Sequence, residues 1–356
     1  MITVTDRKYG YVSVFNPDTG FSIRSNVYDA EGKDTGTDPF QASFPELLDV
    51  GVMGHCAHGK SGRCAKSGVE CYQDGPVVAE MNMSLDRFKR IIDECRGRTF
   101  QVALGGRGDP DMHENFVEML AYARANGVVP NFTTSGYGLK KELLPAIRQY
   151  CGAVAVSWYR SSYTMRAINI LLSAGIKTNI HYCLNNSTID EAIEMIRNHT
   201  FPPGINRIIF LLHKPVGLGR KENVLSAHDE RVQRFFSLFD LPQNANRAGF
   251  DSCSVPALMN FTSRIHPASI EPCEAARFSA YISPDGMLFP CSFERKPQFG
   301  VSIDGPGIEG AWNSAEFDSF RMRFKNRCGE CRAYGQCLGG CPILPEITLC
   351  KRKERN

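Results

Sequence analysis

No stretch of this sequence approaches the ~20 consecutive apolar residues of a membrane span. Its opening, MITVTDRKYGYVSVFN, lacks the basic stretch followed by an apolar run that marks a secretory signal. Neither membrane insertion nor export is expected, and a reducing cytoplasm is the expected setting. Charge of one sign is scarce as well. The formal net charge is only +3, and no long Lys/Arg run precedes the short KRKER tail at 351–355. Nucleic acid is therefore not expected as the main partner, and the tail reads as a solvated terminus. Internal repeats and low-complexity segments are missing too. What remains is an ordinary globular composition, 42% hydrophobic and 22% charged over 356 residues, enough for one large core and a smaller module.

Cysteine, by contrast, is abundant, with 14 in the chain. The last third holds a C-x12-G-x4-C pattern from Cys273 through Gly286 to Cys291, the glycine closing a hairpin-like SPDG turn. A C-x2-C-x5-C-x3-C run follows at Cys328, Cys331, Cys337 and Cys341, and then Cys350. So many thiols without an export signal point to metal rather than disulfides. A zinc knot is the simpler reading of the run alone, and iron–sulfur the reading of the whole pattern.

Residues 1–45 alternate in strand fashion and end in a Gly/Asp/Pro-rich stretch, a small β arm and linker. From Leu47 short apolar strands alternate with amphipathic helices. LLDVGVM, FQVALGG, VPNFTTS, GAVAVSW, KTNIHYCL and RIIFLLH give six β/α units of a parallel, barrel-like sheet at 46–240, whose ligands belong at the strands' C-terminal ends. Residues 241–356 form a Cys-rich C-terminal module. The expected class is thus α/β, a partial (β/α)6 TIM-like barrel with a C-terminal iron–sulfur domain and a short N-terminal β arm.

Directly after the first barrel strand, GHCAHGKSGRCAKSGVECYQDG places Cys56, Cys64 and Cys71 on one glycine-rich loop. Three thiolates leave the fourth iron of a cubane open to a further ligand. Gly54, Gly59, Gly62 and Gly68 let the backbone wrap a bulky group, while His55, His58, Lys60, Arg63 and Lys66 offset thiolate charge. Zinc, or free cysteines in a flexible loop, is the competing reading. The next strand ends in LGGRGDP, where Gly105, Gly106 and Gly108 permit close backbone approach to a ligand or simply make a tight turn. Cys95, Cys151 and Cys183 read as buried inert thiols, and His181 and His213 as hydrogen-bonded structural residues.

Together these parts resemble the radical SAM superfamily over about residues 46–350, and the C-terminal pattern resembles its SPASM extension. The resemblance implies that Cys56, Cys64 and Cys71 hold a [4Fe-4S] cluster whose open iron chelates S-adenosylmethionine, that Gly105 and Gly106 contact its methionine end, and that Ser157 touches its ribose. It implies two auxiliary [4Fe-4S] clusters, one on Cys273, Cys291 and Cys341 and one on Cys328, Cys331, Cys337 and Cys350. For the first of these, Cys253 is the candidate fourth ligand, or else a structural thiol beside an open site. The C-x7-C-x6-C spacing departs from the superfamily's C-x3-C-x2-C, and Glu70 stands where an aromatic precedes the last cysteine. Ligand identity carries over; loop geometry does not.

The implied activity is reductive cleavage of S-adenosylmethionine to a 5′-deoxyadenosyl radical that modifies, by cross-linking or oxidation, a ribosomally made precursor peptide. A reductant such as flavodoxin or ferredoxin is the implied partner. Sulfatase maturation is disfavoured, because Ser292 stands where such enzymes resemble one another in carrying an aspartate. A radical SAM dehydrogenase of small molecules and a non-catalytic zinc-stabilised binding protein are the other readings. The β arm either holds part of a leader peptide by strand addition or caps the barrel floor.

Overall fold

The computed structural model describes residues 1–266, 269–325, 327–329 and 331–351; the Lys60 side chain and residues 352–355 of the basic tail lie outside the described residues. Three strands, β1 (Ile2–Asp6), β2 (Tyr11–Phe15) and β3 (Ser22–Arg24), form an antiparallel sheet in that order. The second sheet holds ten strands. Its centre is the expected parallel series β4 (Leu47–Met53), β5 (Gln101–Gly106), β6 (Val129–Thr134), β7 (Val154–Ser157), β8 (Thr178–Leu184) and β9 (Arg207–Leu212).

Period-two alternation decides which way each strand faces. On β4, Leu48, Val50 and Val52 are buried in one core with Phe88, Ile91 and Ile92 of the helix Leu85–Cys95, so Leu47, Asp49 and Gly51 face the barrel lumen. That helix starts where Ser84 accepts a hydrogen bond from the Arg87 amide, and it buries Phe88, Ile91, Ile92 and Cys95 at helical spacing.

Two extensions lengthen the sheet beyond the six barrel strands. On one edge a short parallel strand, β10 (Ala248–Phe250), pairs with β9 after the helix Glu230–Ser237. Three residues are too few to carry an alternation signal, which is why the sequence pattern fades there. On the other edge β11 (Ser279–Ile282) pairs in parallel with β4, and β12 (Met287–Phe289) and β13 (Val301–Ser302) follow antiparallel. The SPDG segment is the β11–β12 turn, with Gly286 at φ +89°. The cysteine-rich region is therefore sheet-continuous with the barrel.

The arm packs on the barrel floor: Phe15 stacks on Phe100 with ring centroids 5.2 Å apart, beside Val129. A buried carboxylate holds it there. Glu46 accepts hydrogen bonds from Tyr11 Oη (3.1 Å), Ser13 Oγ (2.5 Å) and Arg24 Nε (2.8 Å), and Arg24 Nη2 reaches Glu274 at 2.7 Å. Removing one member of such a group strands the others without partners. Glu46→Ala should cost about 3–5 kcal/mol and speed proteolytic release of the arm, read by thermal melting and limited proteolysis.

Candidate active site and metal centres

The three N-terminal cysteines come together above the C-terminal end of β4. Cys56 follows the strand, Cys64 lies on a short helix, Arg63–Lys66, and Cys71 on the returning segment. Cys64 lies within electrostatic reach of Cys56 and Cys71, and Cys56 within reach of Cys71. Donors already point at the sulfurs: the His58 and Gly59 amides at Cys56, the Gly75 amide at Cys71 (3.4 Å) and the Tyr159 hydroxyl at Cys64. Burial nevertheless pushes the Cys56 and Cys64 thiols up, so a thiolate here calls for a cation.

Neighbouring loops fix this one. His58 Nε2 lies 3.3 Å from Asp109, which accepts hydrogen bonds from the amide and hydroxyl of Ser135. Glu70 binds Arg220 and Asn223 in the loop after β9, and the Leu218 amide donates to the Cys71 carbonyl at 2.9 Å. A side chain at Gly217 would meet the Tyr72 and Cys71 carbonyls, so glycine is required for that contact. His213 Nε2 is 2.9 Å from the Arg220 carbonyl, and His181 Nδ1 is 3.4 Å from Thr133 Oγ1, so both histidines are hydrogen-bonded.

The glycine turn sits beside the loop, with Gly51 paired to Gly105 and Met53 to Gly106. A Cβ at Gly105 would meet nothing, whereas at Gly106 (φ +116°) it would collide with the Met53 carbonyl. The first leaves room for a ligand against bare backbone; the second is structurally obligatory. Ser157 ends β7, and its hydroxyl bonds Tyr159, which also reaches Cys64. The sequence reading missed Tyr159, which lies past the end of β7, where a tight turn brings its amide to 2.9 Å from the Ser157 carbonyl, a turn that no strand pattern announces.

Eight further cysteines fall into two groups of four. Cys253 donates its thiol to Cys341, while Cys273 and Cys291 lie within electrostatic reach of both Cys253 and one another. Cys337 is likewise surrounded by Cys328, Cys331 and Cys350. Burial pushes Cys273 up to about 12. Beside the first group, Lys214 is buried with its ammonium 2.5 Å from Asp251 and within reach of Cys253 and Cys291. Among the described residues no three Cys, His, Asp or Glu side chains converge closely enough for a single metal ion. A mononuclear zinc site needs its sulfurs only ~4 Å apart, given Zn–S bonds of ~2.3 Å.

Residues 273–337 match the SPASM iron–sulfur cluster-binding domain. Mycofactocin maturase MftC of Mycobacterium tuberculosis is 26% identical over 311 residues, covering 80% of this chain and 77% of that protein. Streptococcus suis SuiB bound to S-adenosylmethionine superposes with a TM-score of 0.61 at 16% identity, over 88% of this chain and 78% of that one. Native anSMEcpe with bound AdoMet gives 0.60 at 16% identity, over 83% and 89%. The C-terminal region therefore carries a SPASM iron–sulfur domain, and the chain has the fold of SuiB and anSMEcpe. That domain match implies an iron–sulfur cofactor in the cysteine-rich region. No helix among the described residues is long and apolar enough to cross a membrane.

Gly106→Ala should cost at least about 1–2 kcal/mol and weaken S-adenosylmethionine binding, measured by anaerobic melting and calorimetric titration. The three remaining cysteines carry a separate expectation. Burial pushes Cys95 and Cys151 up to about 12 and Cys183 to about 11. Below roughly one part in a thousand is then thiolate at pH 7.5, so folded enzyme treated with iodoacetamide should leave these three unmodified by mass spectrometry.

Proposed function

We propose that this enzyme modifies a ribosomally made precursor peptide, with Cys56, Cys64 and Cys71 holding the S-adenosylmethionine-cleaving cluster. Cys253, Cys273, Cys291 and Cys341 hold one auxiliary cluster, and Cys328, Cys331, Cys337 and Cys350 the second. The observation that carries the reading is the sorting of eleven cysteines into one group of three and two groups of four, since only the first leaves an iron without a protein ligand. The similar proteins include a maturase, and SuiB bound to its precursor peptide SuiA superposes with a TM-score of 0.65 over 97% of both chains.

When bound, the first cluster and S-adenosylmethionine supply a 5′-deoxyadenosyl radical that takes a hydrogen atom from the substrate. The chain's own residues do the rest. The Gly105 backbone receives the methionine end of S-adenosylmethionine, Gly106 sets the turn, and Ser157 with Tyr159 orients the ribose beside Cys64. The His58, Gly59 and Gly75 amides spread the charge of Cys56 and Cys71. The loop after β9, locked through Glu70 and Gly217, closes over the cysteine loop and keeps water away from it. The enzyme works in the reducing cytoplasm, drawing electrons from a flavodoxin or ferredoxin.

Anaerobic reconstitution should give about twelve irons per chain, and Cys56→Ala/Cys64→Ala/Cys71→Ala about eight. The triple variant should form no 5′-deoxyadenosine. Cys331→Ala should keep that cleavage while a precursor peptide that the wild type modifies stays unmodified. Unchanged cleavage in the triple variant would place the open cluster elsewhere, and stoichiometric zinc without acid-labile sulfide would end the iron–sulfur assignment.

A further inference from the structure

One carboxylate in the barrel wall has no role in holding the fold. Asp49 lies on the lumen face of β4, between Ala103 of β5 and Tyr281 of β11 in register. It is enclosed by protein yet keeps part of its surface free, as a group facing an internal space does. Among the described residues it takes part in no hydrogen bond or ion pair. Ala103, its partner in register, lines a lumen cavity of about 320 Å³ whose wall also includes Asn131, Thr133, Asn179, His181 and Lys177. Burial pushes His181 down to about 4, so it is uncharged at neutral pH, and Lys177 is the cation of this wall, at the end where it donates to the Asp18 carbonyl of the arm.

Asp49 also stands at the level where chemistry has to occur. Gly51 and Gly105, the next lumen-facing pair, lie two residues nearer the strands' C-terminal ends, or roughly 6.6 Å at the usual strand rise. Asp49 is thus one layer beneath the glycine turn assigned to S-adenosylmethionine. The titratable groups facing it are Tyr72 from the cysteine loop, Tyr281 from β11 and Cys291 beyond β12, each within electrostatic reach. β5 contributes uncharged Ala103, and no cation reaches it. A buried carboxylate without a counter-charge costs stability, and burial pushes this one up to about 6.

Resting on the peptide reading above, we propose that Asp49 is a catalytic base, taking up at its carboxylate oxygen the proton that the substrate releases as it is oxidised. In a two-electron oxidation of a C–H next to an X–H, a hydrogen atom leaves carbon by abstraction. One further electron passes to an iron–sulfur cluster, the oxidant. The X–H bond breaks, its electron pair joins the new C=X bond, and its proton goes to Asp49.

The test compares wild type, Asp49→Asn and Asp49→Glu as reconstituted holoenzymes with synthetic peptides translated from any short open reading frames found beside the gene. Asp49→Asn should keep 5′-deoxyadenosine formation within about twofold, because abstraction precedes proton loss, while product falls at least about a hundredfold. Asp49→Glu should restore part of it, and wild-type product formation should rise with pH through about 6.

A second readout needs no turnover. The folded-state value lies above the unfolded one, so ionised Asp49 destabilises the fold increasingly as pH rises towards and past 6, and the stability is regained in acid. Asp49→Asn should melt above wild type at pH 8, by a margin that narrows towards pH 5. Undiminished product with an unchanged pH profile in Asp49→Asn, or a melting margin flat with pH, overturns the proposal. A wild type that leaves those peptides untouched refutes the peptide reading alone. The melting margin then still decides whether Asp49 is the free lumen carboxylate that the proposal requires.

Discussion

The arrangement depends on β4 being paired on both sides, with β5 along one edge and β11 along the other, both parallel. β5 brings the glycine turn beside the cysteine loop at the end of β4. β11 and its hairpin bring Cys291 to the same wall of the barrel. Parallel pairing is what makes this work, since it sends all the strand ends carrying chemistry to one end of the sheet. Cys291 and the thiols around it are thus positioned by main-chain hydrogen bonds continuous with those of the barrel, not by a tether.

The thiols in this frame are held against their own preference. Burial raises Cys56, Cys64, Cys273 and Cys291, and neighbouring sulfurs within electrostatic reach of one another would repel once ionised. Positive metal ions reverse that balance, so cluster assembly and folding of the C-terminal region are energetically one event. The buried Lys214, neutralised by Asp251, is set near Cys253 and Cys291 of the first group of four.

Much of this was legible in residue order. The six barrel strands and their helices announced themselves because each buries one face, leaving period-two and helical patterns, and SPDG announced the β11–β12 turn. Cysteine spacing marked both cysteine-rich regions. Whether Cys253 joins Cys341 was not legible, since that contact is made across 88 residues by the packing of the helix Val255–Phe261 and no local rule reports it. β10 was invisible because three residues carry no period. Asp49 was hidden inside a strand that reads as apolar, where only knowledge of which face looks inward sets it apart from a tolerated surface charge. The arm was open between two roles, and the stacking of Phe15 on Phe100 locates it at the floor, a contact that depends on where the chain returns in space.

The sheet runs from β10 to β13 without closing on itself, and the arm, pinned by Glu46, seals its lower mouth. Cys253, just past β10, meets Cys341, Cys273 and Cys291 from the opposite side of the sheet, so the first group of four thiols links two ends that strand pairing leaves apart.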